Sequence, residues 1–167
     1  MDVKSSFLNG DLEEEVCIEE PEGFILVNDG KLVCKLKKHL YGLKHAPRAW
    51  YYRLNKYLQQ QGFTKGSADN NLYTKIEDNK MLIIVVYVDD IIFGSNEESM
   101  SKKFSFVMLQ EFEMSLLGEL TYFLGLKVQQ AKYGIFLSQK KYLNQILKKY
   151  VIEDCKPVCT PMMILPW

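Results

Sequence analysis

The sequence predicts an α+β fold, an antiparallel central sheet with helices packed on one face. Three observations point there. Short apolar runs of strand length alternate with longer segments whose apolar residues recur every three to four positions. Two pairs of runs are joined by short polar turns, the mark of antiparallel hairpins. No repeat, low-complexity stretch or Pro/Gly/Ser linker divides the 167 residues, so the elements belong to one continuous fold.

Residues 2–8 supply a first strand, and residues 32–36 alternate as a second. The spacing of Trp50, Leu54, Tyr57 and Leu58 predicts a helix over 47–61, with Pro47 in its first turn and Gly62 as its stop. Residues 72–77 and 81–88 form a hairpin around Asp78-Asn79-Lys80. The run 81–88 is continuously apolar, which predicts a central strand covered on both faces. After Asp89-Asp90 the strand pattern resumes at Ile91-Ile92-Phe93. Ser95-Asn96-Glu97-Glu98 reads as a capping box, and Met100, Phe104, Val107 and Met108 give the next helix its buried stripe. Residues 120–130 and 135–138 make a second hairpin around Lys132-Tyr133-Gly134. A last helix over 139–150 turns Leu143, Ile146 and Leu147 inward, and the tail after Val151, with Pro161 and Pro166, shows no element.

An apolar fraction of 47% supports a sizeable core and excludes whole-chain disorder. The formal net charge of zero is unevenly spread. Residues 11–22 hold seven carboxylates and no base, whereas 31–56 hold eight Lys or Arg and no acid. The basic stretch, interleaved with Tyr41, Trp50, Tyr51 and Tyr52, suits a phosphate backbone and stacked bases; a solvated helix face over an aromatic core stripe reads the same way. Cys17, Cys34, Cys155 and Cys159 have no paired metal spacing, and His39 and His45 are remote from the last two, which predicts reduced, mostly buried thiols in an intracellular protein. No signal peptide opens the chain, and its longest apolar stretch is too short to span a bilayer.

Asp89-Asp90, at the tip of the apolar hairpin, is the sharpest chemical feature. Aspartate is common in turns because it bonds nearby backbone N–H groups, and that reading stays open. Two adjacent like charges repel, however, and a hard divalent cation would remove the repulsion. If neighbouring strands bring Asp2 beside them, three carboxylates can hold two ions about 3.5–4 Å apart for in-line nucleotidyl transfer.

Ordered blocks carry a resemblance. Asp2-Val-Lys-Ser-Ser-Phe-Leu-Asn-Gly-Asp-Leu, Pro21-Glu-Gly-Phe and Leu36-Lys-Lys-His-Leu-Tyr-Gly-Leu-Lys-His-Ala-Pro-Arg-Ala-Trp50 are followed by Tyr87-Val-Asp-Asp-Ile-Ile-Phe-Gly-Ser95. Gly118-Glu-Leu-Thr-Tyr-Phe-Leu-Gly-Leu126, Gly134-Ile-Phe-Leu-Ser-Gln139 and Thr160-Pro-Met162 complete the series. The chain closely resembles the copia-type retrotransposon reverse transcriptases of plants from residue 2 to about 162.

The resemblance implies a polymerase palm over residues 1–162, with the fingers missing, a partial thumb-like C-terminal helix, and a disordered tail at 163–167. It implies Asp2, Asp89 and Asp90 as catalytic metal ligands for Mg²⁺, with Mn²⁺ as an alternative. Phe7 then stands at the aromatic gate that rejects a ribose 2′-hydroxyl, although a core filler would look the same. Lys44, His45 and Arg48 lie against the incoming nucleotide and template, with Tyr87 beside them, and Leu124, Gly125 and Leu126 contact the primer end. Two departures are His45 where the family usually has Gln, and Ser6 where it has Ala. The implied partners are an RNA or DNA template with its primer, a dNTP, and the rest of a Pol polyprotein with integrase and RNase H. No membrane is involved, and the implied setting is the cytoplasm, in virus-like particles, or the nucleus. The kinship implied is one of ancestry: these residues alone are not expected to polymerise, because the fingers that close over the nucleotide are missing. Two other readings are a catalytically inactive remnant that binds nucleic acid weakly and without sequence preference, and a different palm-type enzyme such as a cyclase. The Leu-Tyr-Gly-Leu-Lys and Gly-Glu-Leu blocks argue against the last.

Overall fold

Residues 1–21, 23 and 33–156 are described by the computed structural model, which forms two units, Met1–Gly118 and Glu119–Trp167. The first unit runs β1 (Asp2–Val3), a 3₁₀ turn (Ser6–Asn9), β2 (Cys17–Glu19), β3 (Val33–Lys35) and α1 (Ala46–Gln60). It continues with β4 (Thr64–Lys65), β5 (Leu72–Glu77), β6 (Lys80–Tyr87), β7 (Asp90–Ser95), α2 (Glu98–Glu111) and β8 (Met114–Ser115). The second holds β9 (Tyr122–Phe123), β10 (Leu126–Ala131), β11 (Gly134–Ser138) and α3 (Lys140–Lys149). The fold is α+β, with three helices and mostly antiparallel sheet among the described residues.

The main sheet has the order β4-β5-β6-β7-β1-β8, every neighbouring pair antiparallel. In β6 Leu82, Ile84 and Val86 are buried and alternate with half-buried Ile83 and Val85. The buried set meets α1 through Trp50, Leu54, Tyr57 and Leu58, and α2 through Phe104 and Met108, in one core cluster. Edge-to-face ring pairs knit the two helices and the sheet: Tyr57 and Trp50 with Phe112, and Phe63 and Phe93 with Phe104. An Arg53–Glu111 ion pair joins α1 to α2. Helices α1 and α2 thus lie on one face of the main sheet. The expectation that β6 is covered on both faces is corrected: Ile83 and Val85 stay half-buried, and Ile76, across from Met81, is 70% exposed.

Several local signals act as the sequence suggests. Gly62 takes φ +82°, its N–H bonds Gln59 O, and Phe63 N–H bonds Leu58 O. That is the left-handed cap which satisfies the last carbonyls of α1 and packs Phe63 beside the helix end. The β5–β6 turn is tighter than expected, with Asp78 and Asn79 alone in the loop at φ +48° and +63°, as a right-twisted two-residue hairpin requires.

Other expectations are corrected. The first strand ends at Val3, because Ser5 turns left-handed and Ser6–Asn9 closes a 3₁₀ turn. Ser95 does not cap α2: it ends β7, its hydroxyl donates to Met81 O and accepts from Glu97 N–H, and Glu97 is the N-cap. The strand placed over 120–130 is broken by Leu124 and Gly125, both at positive φ, into β9 and β10. In α3 Leu143 is 55% exposed while Ile146 and Leu147 are half-buried, so the inward stripe is only partly formed. Cys17, Cys34 and Cys155 are exposed rather than buried, the first two on the separate β2–β3 ribbon. Leu32, Cys159 and the tail at 163–167 fall outside the described residues. No helix among the described residues is long and apolar enough to cross a membrane.

Gly10 follows the 3₁₀ turn where the chain passes under α1. A Cβ there would stand 2.8 Å from Ala49 Cβ and 3.0 Å from Trp50 N, so helix backbone would have to move. Gly10→Ala is expected to destabilise the first unit by about 1–3 kcal/mol in urea unfolding.

Candidate active site

Strand pairing brings the predicted carboxylates together. β1 lies between β7 and β8, with Asp2 opposite Asp90 and Ser115. Val3 N–H donates to Asp89 O at 3.0 Å, and Met1 and Ile91 exchange backbone bonds of 2.8 Å. The two-residue period fixes which face each side chain takes. Val3, Val86 and Ile91 point into the helix-covered core, so Asp2, Tyr87 and Asp90 stand on the opposite, open face. Asp89 sits in the β6–β7 turn beside them. The apolar crevice lined by Tyr57, Phe63, Lys75, Leu82, Phe104 and Met108 lies on the helix face, away from these acids.

The turn is held in an unusual conformation. Val88 takes φ +57°, a left-handed value that a β-branched residue adopts only when its surroundings impose it. Its carbonyl accepts a 2.7 Å hydrogen bond from Trp50 Nε1 of α1. Nothing in the sequence marks that bond; Trp50 reads there as a member of a buried helical stripe and as one of the aromatics interleaved with the basic stretch.

Electrostatically the site is a cluster of carboxylates whose mutual repulsion the neighbouring Met1 ammonium offsets only in part. Partial burial pushes the Asp90 carboxyl up from its usual range, and the charges of Asp89 and then Asp2 push it further. A neighbouring cation would relieve that repulsion, and an all-oxygen donor set suits hard Mg²⁺ or Mn²⁺. Asp2, Asp89 and Asp90 therefore fit a divalent ion by donor chemistry and charge. By geometry, however, among the described residues no group of three or more His, Cys, Asp or Glu side chains is arranged to hold a metal ion.

Because its folded-state pKa is raised, ionising Asp90 destabilises the fold as pH climbs from below the carboxylate range to neutrality. In EDTA, Asp90→Asn is expected to melt about 1–3 °C above the unaltered chain at pH 7, the gap closing where Asp90 is protonated. Paired thermal melts at pH 3.5 and 7 check this.

Phe7 lies in the 3₁₀ turn that follows β1; the residue is 9% exposed and its ring stacks on Tyr41, centroids 5.6 Å apart. Tyr41 itself is 91% exposed beside Gly42, whose φ is +95°. His45 is the exposed N-cap residue of α1 without a side-chain capping bond, flanked by exposed Lys44 and Arg48. Tyr87 is half-exposed on the carboxylate face. Leu124, Gly125 and Leu126 form and follow the β9–β10 turn in the second unit. His39, which no role requires, is buried with Nε2 3.1 Å from Asp11 O.

The family model described as reverse transcriptase (RNA-dependent DNA polymerase) matches residues 1–164. The chain is 37% identical over 97% of its length to the retrovirus-related Pol polyprotein from transposon TNT 1-94 of Nicotiana tabacum, covering 12% of that protein. It is 36% identical over 99% of its length to the Pol polyprotein from transposon RE2 of Arabidopsis thaliana, covering 11%. A yeast relative, the transposon Ty1-DR5 Gag-Pol polyprotein of Saccharomyces cerevisiae, is 30% identical over 99% of the chain and 9% of its own length. The chain thus spans about an eighth or less of these polyproteins. No solved structure matches it. The expected kinship to copia-type retrotransposon Pol sequences is borne out, and the chain belongs to the reverse transcriptase (RNA-dependent DNA polymerase) family.

Proposed function

We propose that residues 1–118 serve as the palm of an RNA-directed DNA polymerase, with Asp2, Asp89 and Asp90 as its metal-holding carboxylates. The observation that carries this is the register of β1: Asp2 opposite Asp90, with the next residue bonded to Asp89 O. Ladder bonds keep the backbones of these acids close, which limits the side-chain rearrangement that gathering them round an ion would need.

In this reading a primer 3′-hydroxyl attacks the α-phosphorus of a dNTP and pyrophosphate leaves. Bound Mg²⁺ would acidify that hydroxyl and neutralise the triphosphate charge. The chain's own groups orient the substrates. Arg48 and Lys44, at the exposed start of α1, meet the triphosphate or template phosphates together with that helix's N-terminal N–H groups. His45 offers a ring nitrogen where the family usually offers an amide. Tyr87 flanks the nucleotide, and Phe7 limits room for a 2′-hydroxyl. The second unit contributes the primer contact at Leu124, Gly125 and Leu126, with α3 as a thumb-like element. The working context is a longer Pol polyprotein carrying integrase and RNase H, acting inside the cell, in cytoplasmic virus-like particles or the nucleus.

A second reading, an inactive nucleic-acid-binding remnant, draws on α1. Its outer face shows Arg48, Tyr52 and Lys56 exposed at four-residue spacing, and the helix carries no acid. Primer extension on poly(rA)·oligo(dT) with Mg²⁺ separates the two. Template-dependent dTTP incorporation by the purified chain supports the polymerase. Salt-sensitive binding of the hybrid with no incorporation supports the remnant.

A further inference from the structure

Asp89 lies between two peptide oxygens that are both tied down, one by a strand and the other by a helix side chain. Asp89 O accepts the Val3 N–H of β1, and Val88 O accepts the Trp50 indole N–H at 2.7 Å. The Val88 carbonyl belongs to the peptide plane that leads into Asp89, so the indole bond sets the direction from which Asp89 projects. The Val88 side chain does not do this, since it is 47% exposed in a left-handed conformation unfavourable for a β-branched residue. Trp50 is itself fixed: it is 1% exposed, lies on α1 where Gly10 passes closely, and its ring meets Phe112 edge to face at 5.2 Å. Phe112 stands two residues before β8, which pairs with the strand bearing Asp2. One side chain thus connects α1, the turn carrying Asp89 and the approach to the strand beside Asp2.

We propose that Trp50 is a positioning residue whose indole N–H, through the Val88 carbonyl, orients Asp89 toward a divalent cation. A ring serving only as core filler would need its shape and not its N–H. Other bulky apolar side chains fill a core as well as tryptophan, whereas none of them donates from that position. The proposal rests on the reading of Asp89 as a metal-holding carboxylate, and the test separates the two.

The test uses the full chain carrying Trp167→Phe, so that Trp50 is its one tryptophan. Trp50 is replaced by 3-benzothienylalanine, which keeps the bicyclic shape and has sulfur in place of N–H. Mn²⁺ alone is the probe, its affinity measured by electron paramagnetic resonance, with circular dichroism and thermal melting reporting the fold. With the fold retained, Mn²⁺ binding is expected to weaken roughly tenfold, the scale typical of losing a group that orients a metal ligand. The Asp89 amide should also shift and exchange faster in ¹⁵N spectra. Unchanged Mn²⁺ affinity together with an unchanged Asp89 amide would overturn the proposal. If the chain with ordinary Trp50 shows no Mn²⁺ binding that depends on Asp89, the metal reading fails instead, and the amide alone decides whether Trp50 orients the turn. Should the benzothienyl chain not fold, the chain with ordinary Trp50 still decides. Its indole N–H resonance should be protected from exchange and move on Mg²⁺ addition, but not in Asp89→Asn. An indole N–H that exchanges freely and ignores Mg²⁺ sinks the positioning role.

Discussion

Ile84→Ala is expected to cost the first unit about 2–5 kcal/mol, out of the roughly 5–15 kcal/mol that holds a domain of this size folded. Ile84 is fully buried at the middle of β6, opposite Tyr73 of β5 and Phe93 of β7. Both neighbouring ladders hold its backbone, while Phe93 packs edge to face on Phe104 of α2. Tyr73 is equally buried, its hydroxyl 3.0 Å from Asn55 Oδ1 and 3.1 Å from the Tyr51 hydroxyl of α1. With its surroundings pinned from both sides, the site cannot collapse, and the cavity term adds to the lost transfer energy. In urea the midpoint should fall by about 1–3 M at an unchanged slope. Ile83→Ala, one residue away on the half-buried face, should cost about 1 kcal/mol. Equal losses at the two positions would contradict the one-sided core.

The parts of this fold that sequence reveals are those whose causes lie within a few residues. Gly62 ends α1 because only a few residues accept its backbone angle cheaply, and the Asp78-Asn79 pair turns a hairpin for the same reason. The bounds of β5 follow from its own composition. What stays hidden depends on partners remote in sequence. β1 is two residues long and exists through β7 and β8, some ninety and more residues on. Ser95 has a good capping sequence, yet its hydroxyl is drawn to Met81 O across the ladder. Cys17 and Cys34 look like core residues by type, but they lie on a ribbon outside the main sheet. The same division runs through the site. Asp89-Asp90 is visible as an odd pair of like charges, and ordered family blocks supply Asp2. The Phe7–Tyr41 stack and the indole bond to Val88 O leave no trace in spacing or composition.

On the proposed palm reading, Asp89→Asn should abolish metal-dependent incorporation while leaving the fold intact, a different signature from that of Ile84→Ala. The substitution keeps size and shape, and the backbone bond from Val3 N–H to Asp89 O does not involve the altered group. Removing one charge from a cluster in which Asp89 and Asp2 already disfavour ionisation of Asp90 should leave the melting temperature in EDTA equal or slightly higher. A divalent ion, by contrast, loses a charged oxygen donor and gains a neutral amide, and Mn²⁺ affinity should fall at least about tenfold. If the ions stabilise the developing transition-state charge by several kcal/mol, single-turnover dTTP incorporation on poly(rA)·oligo(dT) should drop by about 10³ or more. Full Mn²⁺ affinity and full incorporation in Asp89→Asn would reduce the Asp89-Asp90 pair to the ordinary turn that its sequence also permits.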